Sequence, residues 1–322
     1  MNIEIIRYKT FDSFLTDVLP NGELGKILYG DDRFIFRGVS SNEYKLIPST
    51  LREENIKYVS VPYAMPVQEQ VLMEYELLRN FFTIANDNGL KLPISNDFRK
   101  FYFSSFHTDF AFPKSNWKWI SEEYVEIAAL AQHYGVFTRL LDWTSDLFTA
   151  MYFASHGVFK KYHFNKYNKN DNMVIWALNS GRLQRPRGMG KPLPLKLVVP
   201  PYNDNQNLNA QKGILSYWEI ELPARTNELE NSKIITDRRP LDQLLTEYGK
   251  SDDTIILFKL EIPVIECSNM YAALQSLGYT AAKLFPGYYG VTRQMNEESI
   301  IEAFRWDKTN YFFDENKINI QE

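Results

Sequence analysis

The amino-acid sequence predicts an α+β fold in which helices flank a mixed or antiparallel sheet. Residues 122–134 and the run that begins at Leu147 place apolar side chains at the i, i+3, i+4, i+7 spacing of amphipathic helices. Between these helices, residues 138–144 are too few for a helix and suit a strand. Further strands are predicted over residues 3–6, 34–39, 173–178 and 254–262 and, after a turn, within residues 207–220.

The two helices on either side of residues 138–144 have recognisable ends. Ser121 suits the N-cap of the first helix, because its hydroxyl can accept a hydrogen bond from a free backbone N–H. Gly135 suits the end of that helix, because glycine adopts the left-handed conformation without a steric penalty. Thr144 or Ser145 is the expected cap of the second helix.

The rest of the chain is predicted with the same rules. Residues 68–86 carry a long apolar stripe and form a helix that Gly89 ends. Residues 266–278 and 292–305 are predicted helices, and the tail from residue 308 is predicted as a strand followed by a frayed end. The sequence has no repeat, low-complexity tract or convincing linker, so residues 1–322 are predicted to form a single domain.

Composition limits the classes of function. A net charge of −4 over 322 residues gives no overall attraction to nucleic acid or to an anionic membrane. The single cysteine, Cys267, cannot form an intrachain disulfide, which favours a reducing, cytoplasmic compartment. The sequence shows no secretory leader and no apolar run of roughly 20 residues, so no membrane partner is expected. Metal-ligand spacings such as HxxxH or CxxC are absent, so no metal is expected.

Two charged residues stand in the strand predicted over residues 138–144. Arg139 and Asp142 lie among apolar neighbours, and burying an isolated charge costs far more than a hydrogen bond returns. Both are therefore expected to be paired. One interpretation is that they tie the strand to its neighbours, and the other is that they line or brace a cleft.

Arg37 lies near the end of the strand predicted over residues 34–39. A guanidinium at a strand end can clamp a phosphate, because its planar fork matches the oxygens of that anion. The ordinary alternative is a structural pair with a carboxylate. A basic segment from Arg182 to Lys196, interrupted by glycine and proline, suits either a phosphate-binding loop or a solvated surface loop.

Four segments of the chain together resemble the FRG domain family, which is named for its Phe-Arg-Gly tripeptide. The longest and most specific segment covers residues 131–144 and continues to residues 150–154. The matching residues outside it are Phe36-Arg37-Gly38 with Leu46, Pro48, Ser49 and Arg52 downstream, Gln211 and Gly213, and Phe285-Pro286 with Gly290.

The chain departs from the FRG pattern at Phe137, where proline is usual, and at residues 287–289. Neither departure falls on a polar residue of interest. The resemblance implies one FRG domain with a motif-bearing core at about residues 30–295. A helical insertion at about residues 66–120 and a C-terminal extension at about residues 296–322 complete it.

The order of these segments is also similar to that of arginine–serine–glutamate ADP-ribosyltransferases. In those enzymes an arginine on the first core strand is followed by a Ser/Thr-rich strand that runs into a helix, and a later strand carries the catalytic glutamate. This chain offers Arg37, then residues 142–145 running into the helix with Ala150, then the segment with Gln211. The resemblance implies an ADP-ribosyltransferase-like split sheet and NAD as the substrate. It further implies an effector or toxin, plausible in phage defence, that modifies a protein or nucleic-acid acceptor such as RNA and is neutralised by an antitoxin.

The resemblance implies two sets of site residues. The catalytic set is Arg37, Asp142, Thr144 and Gln211. The set expected to bind NAD is Arg37, Gly38, Arg52, His133, Tyr134, Thr138, Arg139, Trp143 and Ser145. Breaking the nicotinamide–ribose bond develops positive charge on the ribose, so a site needs groups that hold the phosphates and groups that stabilise this charge.

The third catalytic position departs from the transferase pattern. Gln211 stands where those enzymes have glutamate, and an amide cannot act as a base. Glu219 lies farther along the same predicted strand, roughly 26 Å away at about 3.3 Å per residue, so Asp142 is the better source of a carboxylate. Two alternatives stay open: a non-catalytic module that senses a nucleotide or RNA, and a hydrolase or nuclease that uses His133 with Asp142.

Overall fold

The computed structural model describes residues 2–56, 65–93, 117–184, 193–200, 206–222, 234–248 and 255–318. Within these ranges the strands are β1 (Asn2–Arg7), β2 (Phe34–Val39), β3 (Trp117–Trp119), β4 (Leu141–Thr144), β5 (Asn172–Asn179), β6 (Leu195–Val198), β7 (Gly213–Trp218), β8 (Ile220–Leu222) and β9 (Ile255–Pro263). The helices are α1 (Phe11–Val18), α2 (Glu23–Leu28), α3 (Glu53–Ile56), α4 (Val67–Asp87), α5 (Glu122–His133), α6 (Leu147–His163), α7 (Ser180–Gln184), α8 (Gln206–Ala210), α9 (Leu241–Tyr248), α10 (Cys267–Ser276), α11 (Ala281–Leu284) and α12 (Tyr288–Ile318).

In the described part of the chain, seven strands form one mixed sheet in the order β1-β9-β5-β2-β4-β7-β6. The outer strand β1 runs parallel to β9, and the other neighbours are antiparallel. Strands β3 and β8 form a separate two-stranded sheet. The fold is therefore the predicted α+β arrangement, a mixed sheet flanked by helices.

The sheet is narrowest between β2 and β4. Among the described residues these two strands are joined through a single pair, Phe36 with Thr144. On its other side β2 pairs with β5 along its whole length, and β4 pairs with β7 along its whole length. The sheet is therefore continuous but nearly divided into two halves, and a gap opens beside the one joining pair.

Helices cover the sheet because its two faces are apolar. Helices α6 and α10 pack on one face, where Met151, Ile175 and Met270 are buried in one cluster. On the other face, Trp143 and Trp176 are buried together with Leu245 of α9. A third cluster joins α4 and α5 to β7. The short strands thus gain their stability from packing on both sides.

A buried carboxylate fastens the C-terminal helix α12 to this core. Glu297 accepts hydrogen bonds from Tyr152 Oη of α6 at 2.6 Å and from Tyr271 Oη of α10 at 3.3 Å. Arg293, one turn before it, donates to the same carboxylate at 2.9 Å. Because buried polar groups are costly unless paired, this satisfied cluster keeps α12 in register with α6 and α10.

Gly38 is the contact point between β2 and α6. A Cβ built on this glycine would lie 1.8 Å from the carbonyl oxygen of Ala150 and 2.9 Å from the amide nitrogen of Ala154. Both are backbone atoms, so they cannot swing aside as a flexible side chain would. The third residue of the Phe-Arg-Gly tripeptide is therefore required by the close approach of strand and helix.

Replacement of Gly38 by alanine is expected to destabilise the fold by at least about 1–3 kcal/mol, the usual cost of an overpacked core. Chemical denaturation followed by circular dichroism measures this loss. Gly135→Ala is not a matched control, because Gly135 has a positive φ of 91° and would be strained for a different reason. Gly30→Ala is not a matched control either, because an added Cβ there would lie 2.8 Å from the backbone oxygen of Lys26. An unchanged unfolding free energy for Gly38→Ala would contradict the packing argument.

Two boundaries around β4 differ from the prediction. The strand begins at Leu141 rather than at residue 138, because the backbone of Thr138 bonds to another segment: its carbonyl accepts from Ser49 Oγ and Thr50 N, each at 3.1 Å. The N-cap of α6 is Asp146, whose carboxylate accepts from Phe148 N. The prediction of Thr144 or Ser145 as that cap was wrong by one or two positions.

The prediction for the tail was also wrong. Helix α12 begins at residue 288, before the predicted start, and its backbone stays helical to residue 318, where a strand was expected. No glycine or proline follows residue 290 to interrupt it. Separately, none of the helices in the described ranges has the length and apolar character needed to cross a bilayer.

Candidate functional site

A cavity of about 400 Å³ opens where β2 and β4 separate. Its polar lining includes Arg37 of β2, Asp142 and Thr144 of β4, and Gln211, which lies between α8 and β7. Phe153 of α6 forms part of its apolar wall. The volume lies within the range of small-molecule sites. All four residues of the predicted catalytic set thus line one cavity.

Arg37 reaches across the gap between the two strands. Its Nη1 donates a hydrogen bond of 2.6 Å to the backbone carbonyl of Asp142 and lies 3.7 Å from Asp142 Oδ2. The guanidinium therefore replaces part of the missing ladder between β2 and β4. Burial lowers the pKa of Arg37, the Asp142 carboxylate opposes this change, and the nearby charge of Arg52 lowers the pKa further.

The carboxylate of Asp142 lines the cavity, and one of its two oxygens is fixed by a hydrogen bond. Its side chain is 65% exposed, and Oδ1 accepts a 2.5 Å hydrogen bond from Gln132 Nε2 of α5. The side-chain oxygen of Gln132, Oε1, in turn accepts a hydrogen bond from Thr138 Oγ1. Because this hydroxyl occupies the amide oxygen, the NH₂ group of Gln132 is the end that faces Asp142.

Thr144 and Gln211 hold the far wall of the cavity. Thr144 Oγ1 donates to the backbone carbonyl of Gln211 at 2.7 Å and accepts from Asp146 N at 3.0 Å. The side chain of Gln211 donates to the carbonyl of Leu284 at 3.0 Å, which ties the start of β7 to α11. Both side chains are therefore engaged in fixing the backbone around the cavity.

Arg139 does not belong to this cavity. Its guanidinium makes two hydrogen bonds, of 2.9 and 2.7 Å, to Glu74 of α4, and both side chains are only 4% exposed. The same carboxylate accepts from Trp119 Nε1 at 2.6 Å and from Gln70 Nε2 at 2.9 Å. The expectation that Arg139 binds NAD is therefore corrected: it braces the strand segment against α4, as the first interpretation had it.

Two further residues of the predicted NAD-binding set are buried among structural contacts. Trp143 touches the cavity, but its Nε1 donates to Ser216 Oγ at 2.7 Å on the opposite face of the sheet. Thr138 is buried, and its hydroxyl is engaged with Gln132. Gly38 lines the cavity through its backbone, next to Arg37. Of these three residues, Gly38 is the one whose lining of the cavity could be contacted by a ligand.

The remaining predicted residues lie outside the lining of the cavity. His133 Nε2 lies 3.4 Å from Asn207 Nδ2. Tyr134 is 71% exposed, and its ring contacts the ring of His133 in a T-shaped arrangement. Ser145 is exposed and donates its backbone N–H to Lys212. Arg52 donates to the carbonyl of Ile47 at 2.9 Å, within electrostatic reach of Arg37. Of these four residues, Arg52 is the one whose charge acts on Arg37 in the cavity.

Sequence reasoning missed Gln132 and Tyr44, which complete the site. Gln132 lies inside the longest motif, in the helical stretch before Gly135, and its polarity on a largely apolar helix was the available signal. Tyr44 lines the cavity seven residues after Arg37 in sequence, and no pattern marked it. The predicted basic segment falls partly on residues 185–192, which lie outside the described ranges.

The arrangement combines one partly buried cation, a second cation nearby and a carboxylate that faces open space. Arginine pairs suit a diphosphate, since each guanidinium offers several donors to phosphate oxygens. A carboxylate held a few ångströms away suits a sugar hydroxyl or a developing positive charge. The cavity therefore places cationic groups and a carboxylate within reach of one bound molecule.

Comparison with known proteins agrees with this placement of the motifs. No curated protein and no solved structure matches the chain significantly. The family model of the FRG domain matches residues 32–163, a range that carries Arg37, Gln132, Asp142 and Thr144. The match confirms the FRG resemblance, whereas the resemblance to ADP-ribosyltransferases stays a prediction. The chain therefore contains an FRG domain, which spans residues 32–163.

Proposed function

We propose that the cavity between β2 and β4 binds NAD and that the protein transfers ADP-ribose from it to an acceptor. The observation that carries this proposal is the meeting of Arg37 and Asp142, 105 residues apart in sequence, at the gap in the sheet. A structural ion pair alone would not need an open cavity of about 400 Å³ beside it.

Arg37 is the proposed phosphate-binding group. One of its N–H donors is used by the carbonyl of Asp142, and a guanidinium has five, so donors remain for the oxygens of a diphosphate. Arg52 supports the same end of the ligand through its charge. A guanidinium is more weakly hydrated than an ammonium group, so it gives up less hydration free energy when it binds an anion. This favours tight binding by Arg37.

Asp142 is the proposed carboxylate of the reaction. Gln211 cannot serve, since it is an amide and is engaged with Leu284. Glu219 is paired with Lys118 at 2.7 Å, on the edge formed by the small sheet. In the proposed reaction the bond between the ribose C1′ and the nicotinamide nitrogen breaks, and neutral nicotinamide leaves. The carboxylate of Asp142 then stabilises the positive ribose until the acceptor attacks C1′ and loses its proton.

A second candidate is a nucleotide-binding module without catalysis. It is favoured by one observation, the use of the Gln211 side chain in the wall of the cavity rather than as a free group. The hydrolase alternative has less support, because the described contacts of His133 are with Asn207 and Tyr134, and the amide that reaches Asp142 belongs to Gln132.

Asp142→Asn separates the transferase from the binding module. Calorimetry is expected to show NAD affinity within about threefold of the wild-type value, because an asparagine keeps the size and polarity of the side chain. Transfer of label from radiolabelled NAD onto a cell lysate is expected to fall by at least about 100-fold, the usual effect of removing an electrostatic stabiliser. Protease and RNase treatment of the labelled lysate identifies the class of acceptor.

The outcomes of this experiment are distinct. Wild-type protein that binds NAD but labels no component of the lysate leaves only the non-catalytic module. Labelling that persists in Asp142→Asn removes Asp142 from the reaction. Wild-type protein that shows no heat of binding with NAD at millimolar concentration contradicts the proposed function altogether.

A further inference from the structure

Tyr44 forms an aromatic wall of the cavity that the proposed reaction does not use. It follows β2 by five residues, lines the same cavity as Arg37 and is 50% exposed. The turn that carries it is held in place: Tyr44 N donates to the carbonyl of Ser41 at 3.3 Å, and Asn42 N donates to Asp171 Oδ1 at 3.4 Å. The ring is therefore presented on an ordered turn.

A cation covers one side of the Tyr44 ring. Lys161 Nζ of α6 lies 4.6 Å from the ring centroid and 3.5 Å from Asp171 Oδ2. The same aspartate thus holds both the turn and the lysine. The ammonium group lies over one face of the ring, and because the residue is half exposed and lines the cavity, the ring can still contact a planar ligand there.

The charge of Lys161 distinguishes the two rings of NAD. The nicotinamide ring carries a positive charge when it is bound to ribose, and a second cation beyond the tyrosine ring opposes it. Adenine is neutral and stacks on an aromatic ring without that repulsion. The side of the cavity with Tyr44 therefore suits the purine, and Asp142 suits the nicotinamide-side ribose.

We propose that Tyr44 stacks on the adenine base of the nucleotide that Arg37 binds and so fixes the direction in which the ligand lies. This inference rests on the proposed function and adds a specificity residue to it. It names the ligand class as an adenine nucleotide, with its phosphates at Arg37 and its base at the rim of the cavity.

Calorimetry with NAD and with ADP-ribose tests the assignment. ADP-ribose retains the adenine and lacks the nicotinamide. Tyr44→Ala is expected to weaken both ligands to the same extent, by about 5- to 150-fold, the range of base stacking on one aromatic ring. Tyr44→Phe keeps the ring and is expected to stay within about threefold of wild type. Tyr44→Leu, which is apolar but has no ring face, is expected to behave like Tyr44→Ala and serves if the alanine variant fails to fold.

Lys161→Met is a control for the charge that lies beside Tyr44. The thioether chain keeps the packing over Tyr44 and removes the charge, so the affinity for ADP-ribose is expected to stay within about threefold. Circular dichroism of each variant verifies the fold.

Each remaining outcome overturns the inference in a recognisable way. If Tyr44→Ala weakens NAD but leaves ADP-ribose unchanged, the ring stacks on nicotinamide and the direction is reversed. If neither ligand is weakened, Tyr44 makes no contact with the nucleotide, and the proposed function stands without it. If the wild-type protein binds neither ligand, the proposed function and this inference fall together.

Discussion

Replacement of Arg37 by alanine is expected to abolish detectable NAD binding while the fold stays intact. Removing one partner of a buried, hydrogen-bonded charge contact costs about 2–5 kcal/mol, which is roughly a 30- to 4,000-fold loss of affinity. The fold survives because the carbonyl of Asp142, which loses its 2.6 Å hydrogen bond, faces a cavity that water can enter. Titration calorimetry measures the affinity, and circular dichroism verifies the fold.

Two further variants sharpen this experiment. Arg37→Lys keeps the charge but loses the planar fork, so it is expected to recover part of the affinity. Arg79→Ala removes an arginine that pairs with Glu76 on the surface of α4 and is expected to bind NAD like the wild type. If Arg37→Ala bound NAD with unchanged affinity, Arg37 would not be a phosphate-binding residue, and the proposed function would be contradicted.

Replacement of Glu74 by alanine is expected to be the most damaging substitution for stability. Glu74 receives four hydrogen bonds, from Arg139, Trp119 and Gln70, and its side chain is only 4% exposed. Without it the guanidinium of Arg139 is buried and uncompensated, which costs about 3–5 kcal/mol. Urea denaturation at neutral pH measures the loss.

A matched surface variant and a double variant test the reason for that loss. Glu76→Ala removes a partly exposed partner of Arg79 and is expected to change stability by less than about 1 kcal/mol. The double variant Glu74→Met, Arg139→Met removes both charges and is expected to be markedly more stable than Glu74→Ala. If the double variant were no better, the loss would come from packing rather than from the unpaired charge.

Rules that act on short stretches of sequence identified Arg37 and Asp142 as residues that need explanation, whereas their convergence was implied by the family resemblance. Arg37 and Asp142 each stand in a short apolar run, and a charged residue there needs a partner or a cleft. The ends of α4 and α5 followed from apolar periodicity and from Gly89 and Gly135, both of which have positive φ. Local patterns therefore placed the elements and identified which polar residues required explanation.

Pairings between distant segments could not be read in the same way. The partner of Arg139 is Glu74, 65 residues earlier, on a helix that also carries the charged residues Glu69, Glu76 and Arg79. Its burial is decided by how α4 docks on α5, and no periodicity contains that information. Likewise, the backbone of Thr138 makes hydrogen bonds with Ser49. Strand β4 is therefore shorter than the strand predicted from residue 138.

The single pair that joins β2 and β4 has a consequence for how binding should be measured. Beyond that pair the cavity is lined by residues of both strands, Gly38 and Val39 on β2 and Asp142 and Trp143 on β4, so a guest molecule can contact the main chain there. Main-chain contacts of this kind survive every side-chain substitution. An alanine scan of the cavity will therefore recover only a fraction of the total affinity. Backbone amide-to-ester exchange at Gly38 or Val39, both of which line the cavity, measures the remainder, because it deletes a main-chain donor while sparing the side chains.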